Sequence, residues 1–287
     1  MNHTLSIMLL AISFATTTFA GERISCTYNG DEFVVIAQGQ VFKYNVDDNK
    51  QAVAKVDCGK GDVFLPSLAA MYDGDDLVVF NPETRQFSTT SVDDDRAGAQ
   101  LDVTGDVMVF TDQDDVFAYH RTLQQFTTYS IDDMTTTTKV IAGMDLGVAY
   151  DGDDMFVFDP NGGTWRTYSV HDGMNPNYLQ VGLGVAAFYD QDTLIVYDAE
   201  LSNFFSYNVD DSASKALLLT GNGGVMFYDG DDVYSYCRTQ GSVRSFGAED
   251  SGAAGDADLR TDRLTLFTNR TMFDLETTNC QVRQTAI

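Results

Sequence analysis

A seven-bladed β-propeller, all-β and built from four-stranded antiparallel sheets, is the fold this sequence predicts, and three observations predict it. First, a small acidic turn recurs. NGDE at Asn29, DGDD at Asp73, DQDD at Asp112, DGDD at Asp151, DQDT at Asp190 and DGDD at Asp229 are spaced by 44 and then four times by 39 residues. Self-similarity at roughly 40 residues marks a repeat architecture. Second, the apolar period inside each copy is two, as in DLVVFN, DVFAYH, DMFVFD and DVYSYC, which is the pattern of short strands bounded by turns. Third, the 287 residues, less a leader, hold about seven such copies. Six blades with an irregular cap is the alternative.

The elements follow in chain order. Residues Ile7 to Ala15 form an apolar run, and Thr18-Phe19-Ala20 resembles a signal-peptidase site. The run is too short to span a bilayer, so residues 1–20 are expected to be a signal peptide. The segment carries no Lys or Arg before its apolar run, and a buried N-terminal strand is the competing reading. Residues 21–287 are expected to form a single propeller domain, secreted or periplasmic. The mature chain opens directly at the strand before the first acidic turn, the second strand (B) of a four-strand A–D blade. The closing segment CQVRQTAI is expected to follow the last strand D and to supply the missing strand of the first blade, which would hide a sheet edge.

Within each blade a bulky aromatic follows the acidic turn at a fixed distance: Phe87, Phe126, Trp165 and Phe204. The turn before two of these, FNPETRQF from Phe80 and FDPNGGTW from Phe158, resembles the corresponding segment of the kelch motif. Asp159, Pro160 and Trp165 carry the match in one blade, and Asn81, Pro82, Thr84 and Phe87 in the other. The diglycine of that motif is replaced here by YDGDD. The resemblance implies a propeller; activity does not follow from fold.

Four cysteines, Cys26, Cys58, Cys237 and Cys280, form no C-x-x-C pair, so zinc and thioredoxin-like readings lack support. In an oxidising compartment they suggest two disulfides. Three connectivities are open, of which the sequence-local pairing Cys26–Cys58 and Cys237–Cys280 is favoured; four buried thiols is the alternative.

Charge narrows the function. With 17 basic and 43 acidic side chains the net charge is −26, which repels nucleic acid and anionic membrane surfaces. No run of about 18 apolar residues follows the leader, so no membrane span is expected. In an A–B–C–D blade the B–C turn and the D–A link emerge on one face, and most carboxylates fall in these two connections. Arg85, Arg121, Arg166 and Arg238 fall on the other, so the two faces are expected to differ strongly in charge.

Asp and Gly suit tight turns through Asx hydrogen bonds and positive φ, and that is one explanation of the acidic face. The other is cation binding, with Asp73, Asp75, Asp112, Asp114, Asp151, Asp153, Asp229 and Asp231 as candidate calcium ligands, since calcium takes hard oxygen donors in irregular geometry. Adaptation to high salt fits the composition equally. A basic protein surface is the alternative partner, and a carbohydrate a third, with Trp165, Tyr178 and His171 as candidate ligand-binding residues. Trp165 occupies a position that is Phe in neighbouring blades, which points to the core. His120 ends a strand C, and His171 replaces the first Asp of a D–A link; both read as turn residues. No G-x-S-x-G, H-E-x-x-H or P-loop is present, and no nucleophile sits beside a base. The expected function is therefore a binding or interaction protein. A glycan-cleaving hydrolase or lyase, drawing on paired carboxylates, is the alternative.

Overall fold

A computed structural model describes residues 24–46, 55–59, 67–92, 99–112, 114–131, 138–171, 175–209, 216–248, 256–260, 262–268 and 270–287. The leader 1–20 and the acidic residues expected in the D–A links (Asp47, Asp48, Asp93, Asp94, Asp95, Asp132, Asp133, Asp172, Asp210, Asp211, Glu249 and Asp250) lie outside them.

The chain forms seven antiparallel sheets in succession, and every strand pairs with its neighbour in sequence. This is a β-propeller of seven blades, numbered here 1 to 7. Blade 4 is representative: strand A is Lys139–Ala142, B is Gly147–Tyr150, C is Asp154–Asp159 and D is Thr164–Ser169. Strands B and C are built almost wholly from β-branched, aromatic and small residues because both of their faces are covered. Strand D alternates, with only one face packed.

Among the described residues, blade 1 has three strands, Ser25–Tyr28, Glu32–Ala37 and Gln40–Asn45, which correspond to B, C and D. Its strand C shows an exposed face that the inner blades lack, with Ile36 44% exposed. The expected donation of a C-terminal strand to this blade is not what the structure shows. Gln281–Ala286 pairs with Thr271–Glu276 and is itself strand D of blade 7. The sequence places the last acidic-type turn late, and the final segment is consumed in completing the seventh sheet.

Six apolar clusters join successive blades. Phe33 and Val35 of blade 1 meet Met71, Val78 and Phe80 of blade 2. Tyr72 and Val79 meet Phe110 and Phe117, and Val109 and Val116 meet Phe156 and Phe158. The series continues through Tyr150 with Phe188, Tyr189 with Phe227 and Tyr228 with Phe273. Each blade is thus half of two cores, which is how a repeat that cannot bury its own faces becomes stable. The recurring aromatic at the start of strand D packs inward: Phe80–Phe87, Tyr119–Phe126, Phe158–Trp165 and Tyr197–Phe204 lie 5.1, 5.1, 5.6 and 4.8 Å apart.

Two disulfides are present, Cys26–Cys58 and Cys237–Cys280, the sequence-local pairing. The first joins blade 1 to the stretch after strand A of blade 2, and the second joins blade 6 to blade 7.

Candidate functional site

The acidic turn connects strands B and C. Its first residue is spent on the turn itself. Asp73 Oδ1 accepts from the amide of Asp76 (3.0 Å), Asp112 Oδ1 from Asp115 (3.2 Å), Asp151 Oδ1 from Asp154 (2.9 Å) and Asp229 Oδ1 from Asp232 (2.8 Å). Asn29 does the same for Glu32 at 2.8 Å, and Thr268 for Thr271 at 3.1 Å. This is the Asx or ST turn, in which a short side chain mimics a backbone acceptor. The tyrosine just before it closes the other side: Tyr150 and Tyr228 hydroxyls donate to the carbonyls of Gly152 and Gly230, both at 2.6 Å. All four of these aspartates are buried.

The third residue of the turn has a different position. Its carbonyl accepts from the residue that follows strand D: Val46 bonds Asp31, Val92 bonds Asp75, Ile131 bonds Asp114, Val170 bonds Asp153, Val209 bonds Asp192 and Ala248 bonds Asp231. These bonds put the B–C turn and the end of strand D on the same edge of each blade. They also hold a carboxylate outward: Asp31, Asp114, Asp153, Asp192 and Asp231 are exposed, and Asp75 is half-buried. The eight expected cation ligands therefore divide. Asp73, Asp112, Asp151 and Asp229 build the turns, whereas Asp75, Asp114, Asp153 and Asp231 present charge.

At one turn the carboxylates converge. Ligand atoms of Asp73, Asp75 and Asp76 all lie within 4.8 Å of one another. In blade 4, burial first and the neighbouring Asp153 second push the Asp151 carboxyl up to about 6, against the two amides it accepts. A carboxyl raised this way is the expected result of burying an anion next to another.

Blade 5 departs from the pattern. Strand B, Val185–Asp190, runs into a tight hairpin, with Asp190 paired directly to Thr193. That frees the Asp190 side chain from turn duty. Its Oδ2 takes the amide and the Nδ1 of His171 instead, each at 2.8 Å. His171 thus replaces an Asp in one link because it pairs with a released Asp in the next turn. The two departures from the repeat lie nineteen residues apart and meet in one contact.

Of the expected ligand-binding trio, His171 and Tyr178 contact adjacent residues of one strand, Asp190 and Tyr189, whereas Trp165 is tied to blade 3. His171 is exposed beside the B–C turn of blade 5. Tyr178 is half-buried at the end of the 3-10 turn Pro176–Tyr178 and packs edge-on to Tyr189 at 5.5 Å. Trp165 is buried, with its indole N–H donating to Thr127 O at 3.2 Å. It offers no stacking face to a sugar.

The opposite edge is less basic than the arginines suggest. Arg121 pairs with Asp106 at 2.9 Å, and Arg238 with Asp198 at 3.1 Å and Glu200 at 3.4 Å. Arg166 lies within strand D. These acids neutralise much of the positive charge locally. The last residue of strand C on this edge ties blades 2, 4, 5 and 6 to the blade that follows. Asn81 donates to Arg121 O, Asp159 accepts from Ser202 Oγ, Asp198 accepts from Tyr236 OH, and Cys237 forms the disulfide to Cys280. His120 holds the same register position, is buried, and its Nδ1 has no hydrogen-bond partner among the described residues. Burial lowers its pKa.

No protein-family model matches the chain, and no curated protein sequence does. Solved structures do match. Hsv2 of Kluyveromyces lactis is 12% identical over 80% of this chain and 75% of its own, with a TM-score of 0.36. The WD40 domain of SCAP from fission yeast is 8% identical over 93% and 86%, at 0.33. PorZ, a surface component of the type IX secretion system of Porphyromonas gingivalis, is 11% identical over 80% of this chain and 33% of its own, at 0.34.

Proposed function

We propose that this chain is an exported binding propeller whose acidic edge docks a partner rich in lysine and arginine. One observation carries the reading: the repeat separates two kinds of carboxylate. A turn needs only its first residue as an acceptor, yet blades 1 and 3 to 6 add an exposed Asp at the third position and blade 2 a half-buried one. A series of such carboxylates on a molecule of net charge −26 raises the local concentration of cations and steers a basic surface toward it. The kelch-like turns at Phe80 and Phe158 accord with an interaction propeller, and the two disulfides accord with export.

The test is calorimetric titration with a lysine-rich decapeptide at roughly 50 and 200 mM salt. Binding that weakens with salt, and that is lost when Asp31, Asp114, Asp153, Asp192 and Asp231 are all changed to Asn, supports the proposal. Equal binding by that variant overturns it.

Calcium is the second reading, and the convergence of Asp73, Asp75 and Asp76 favours it. Three carboxylates suit a hard cation that takes six to eight oxygens, the rest from water. A melting temperature raised by calcium but not by magnesium or by sodium chloride at matched ionic strength, and unresponsive after Asp75→Asn, supports this site through mass action. An equal rise with every salt removes it.

A further inference from the structure

On the edge opposite the acidic turns, a cleft of about 350 Å³ is lined by Gln38, Pro82, Glu83, Arg85 and Arg121. It crosses the C–D turns of blades 1, 2 and 3. Arg85 donates through Nη1 to Gln40 Oε1 at 3.3 Å and through Nη2 to Gln38 Oε1 at 3.2 Å. Both acceptors are neutral, so the guanidinium is held in place with its charge unbalanced, and its pair of amide partners turn their NH₂ donors outward from it. Glu83, two residues earlier in the same turn, forms no ion pair with it or with any described residue. Asn81 Oδ1 accepts the Glu83 amide at 3.0 Å, and the buried Pro82 ring fixes the backbone between them. Arg121, on the far wall, is already balanced by Asp106. One cation and one anion thus face a common cleft without neutralising each other.

The turn fixes where Arg85 sits. Every C–D turn from blade 2 to blade 7 has one residue in the left-handed region at the same register: Arg85 (φ 58°), Gln124, Gly163, Ser202, Gly241 and Cys280. Glycine fills it without strain in blades 4 and 6, whereas an arginine there carries a steric cost. Blades 3, 5 and 7 accept the same cost with Gln124, Ser202 and Cys280, so the strain belongs to the turn, and what distinguishes blade 2 is that the residue held there is a cation lining the cleft.

We propose that this cleft binds a small zwitterion, the chemistry of a free amino acid or dipeptide. The carboxylate of the ligand lies against Arg85 with support from the Gln38 amide, and its ammonium lies against Glu83. The volume is at the low end of the range for small-molecule sites, which suits a ligand of this size. A net anion would be repelled by the whole-molecule charge of −26, and a net cation by Arg85 at close range. A zwitterion meets both charges and has no net charge itself.

The experiment is calorimetric titration of the full mature chain with L-alanyl-L-alanine, its N-acetyl derivative and its C-terminal amide. Saturable binding is expected for the free dipeptide with a Kd of about 1 mM, and binding about ten-fold weaker for each blocked form. Arg85→Gly restores the residue of blades 4 and 6, so it keeps the melting temperature while erasing the preference for a free carboxylate. Glu83→Gln, at an exposed position, erases the preference for a free amine. The absence of saturable binding, equal binding of the blocked forms, or wild-type selectivity in both variants overturns the proposal.

Discussion

Asp151 and Asp153 stand two residues apart and serve opposite ends. Asp151 is buried and accepts the amide of Asp154, while Asp153 is exposed. Composition alone assigns them to one acidic cluster; only the turn geometry separates a backbone acceptor from a surface charge. The acceptor role needs an oxygen and no charge. The folded Asp151 carboxyl titrates at about 6, above the unfolded value of about 3.9. The fold therefore binds this proton more tightly than the unfolded chain, and stability falls as pH rises from about 4 to 6. Asp151→Asn keeps Oδ1 and removes the buried charge. Urea denaturation at pH 7 is expected to show a gain of about 2–3 kcal/mol, vanishing toward pH 4. A loss at pH 7 would show that the charge itself stabilises the turn.

At the scale of the element, strand identity was readable and strand partnership less so. The period of two and the turn spacing give strands B, C and D of each blade, and Trp165 was readable as core because Phe fills its place in sister blades. What periodicity does not show is the set of side-chain ties between blades, such as Asp198 to Tyr236, about one repeat apart, or the exchange between His171 and Asp190. The last strand completes blade 7 rather than blade 1, a destination the sequence does not display because both ends of the chain carry strand-like segments without a fixed partner. The tie at the end of strand C also shows where a blade is weak. His120 sits there buried and against Phe158, its ring centroids 6.5 Å apart, where Asn81 and Asp159 make hydrogen bonds. Its lowered pKa means that the neutral ring is favoured in the fold. Stability from this residue is present above the unfolded value of about 6.5 and is lost as pH falls through it. His120→Asn is expected to gain stability over wild type at pH 5.5 but not at pH 8, measured by chemical denaturation. An identical difference at both pH values would refute the assignment.

At the scale of the whole molecule, stability is distributed along a line of neighbours. Among the described residues, blades 2 to 6 each take part in two of the six clusters, while blades 1 and 7 each take part in one. In a repeat protein the end units open most easily. Each disulfide lies at one of these ends, fastening a terminal blade to its packed neighbour. Hydrogen exchange is expected to be fastest in strands of blades 1 and 7 and slowest in strands B and C of blades 3 to 5. Cys237→Ser with Cys280→Ser should cost about 2–4 kcal/mol and accelerate exchange in blade 7 before blade 4. Uniform acceleration across all blades would mean that the propeller opens as a single unit.

The two fasteners also set how the molecule would behave under tension. Drawn apart by its termini, a chain of this kind sheds its end blades first. The cross-links span 32 and 43 residues, lengths worth about 110 and 150 Å of extended chain. While the bonds are intact that slack cannot be paid out, so a pulling experiment should record shorter steps for the outer blades than for the inner ones, and a reductant should lengthen them. The two cross-links would thus act as mechanical stops, one near each end of the described chain.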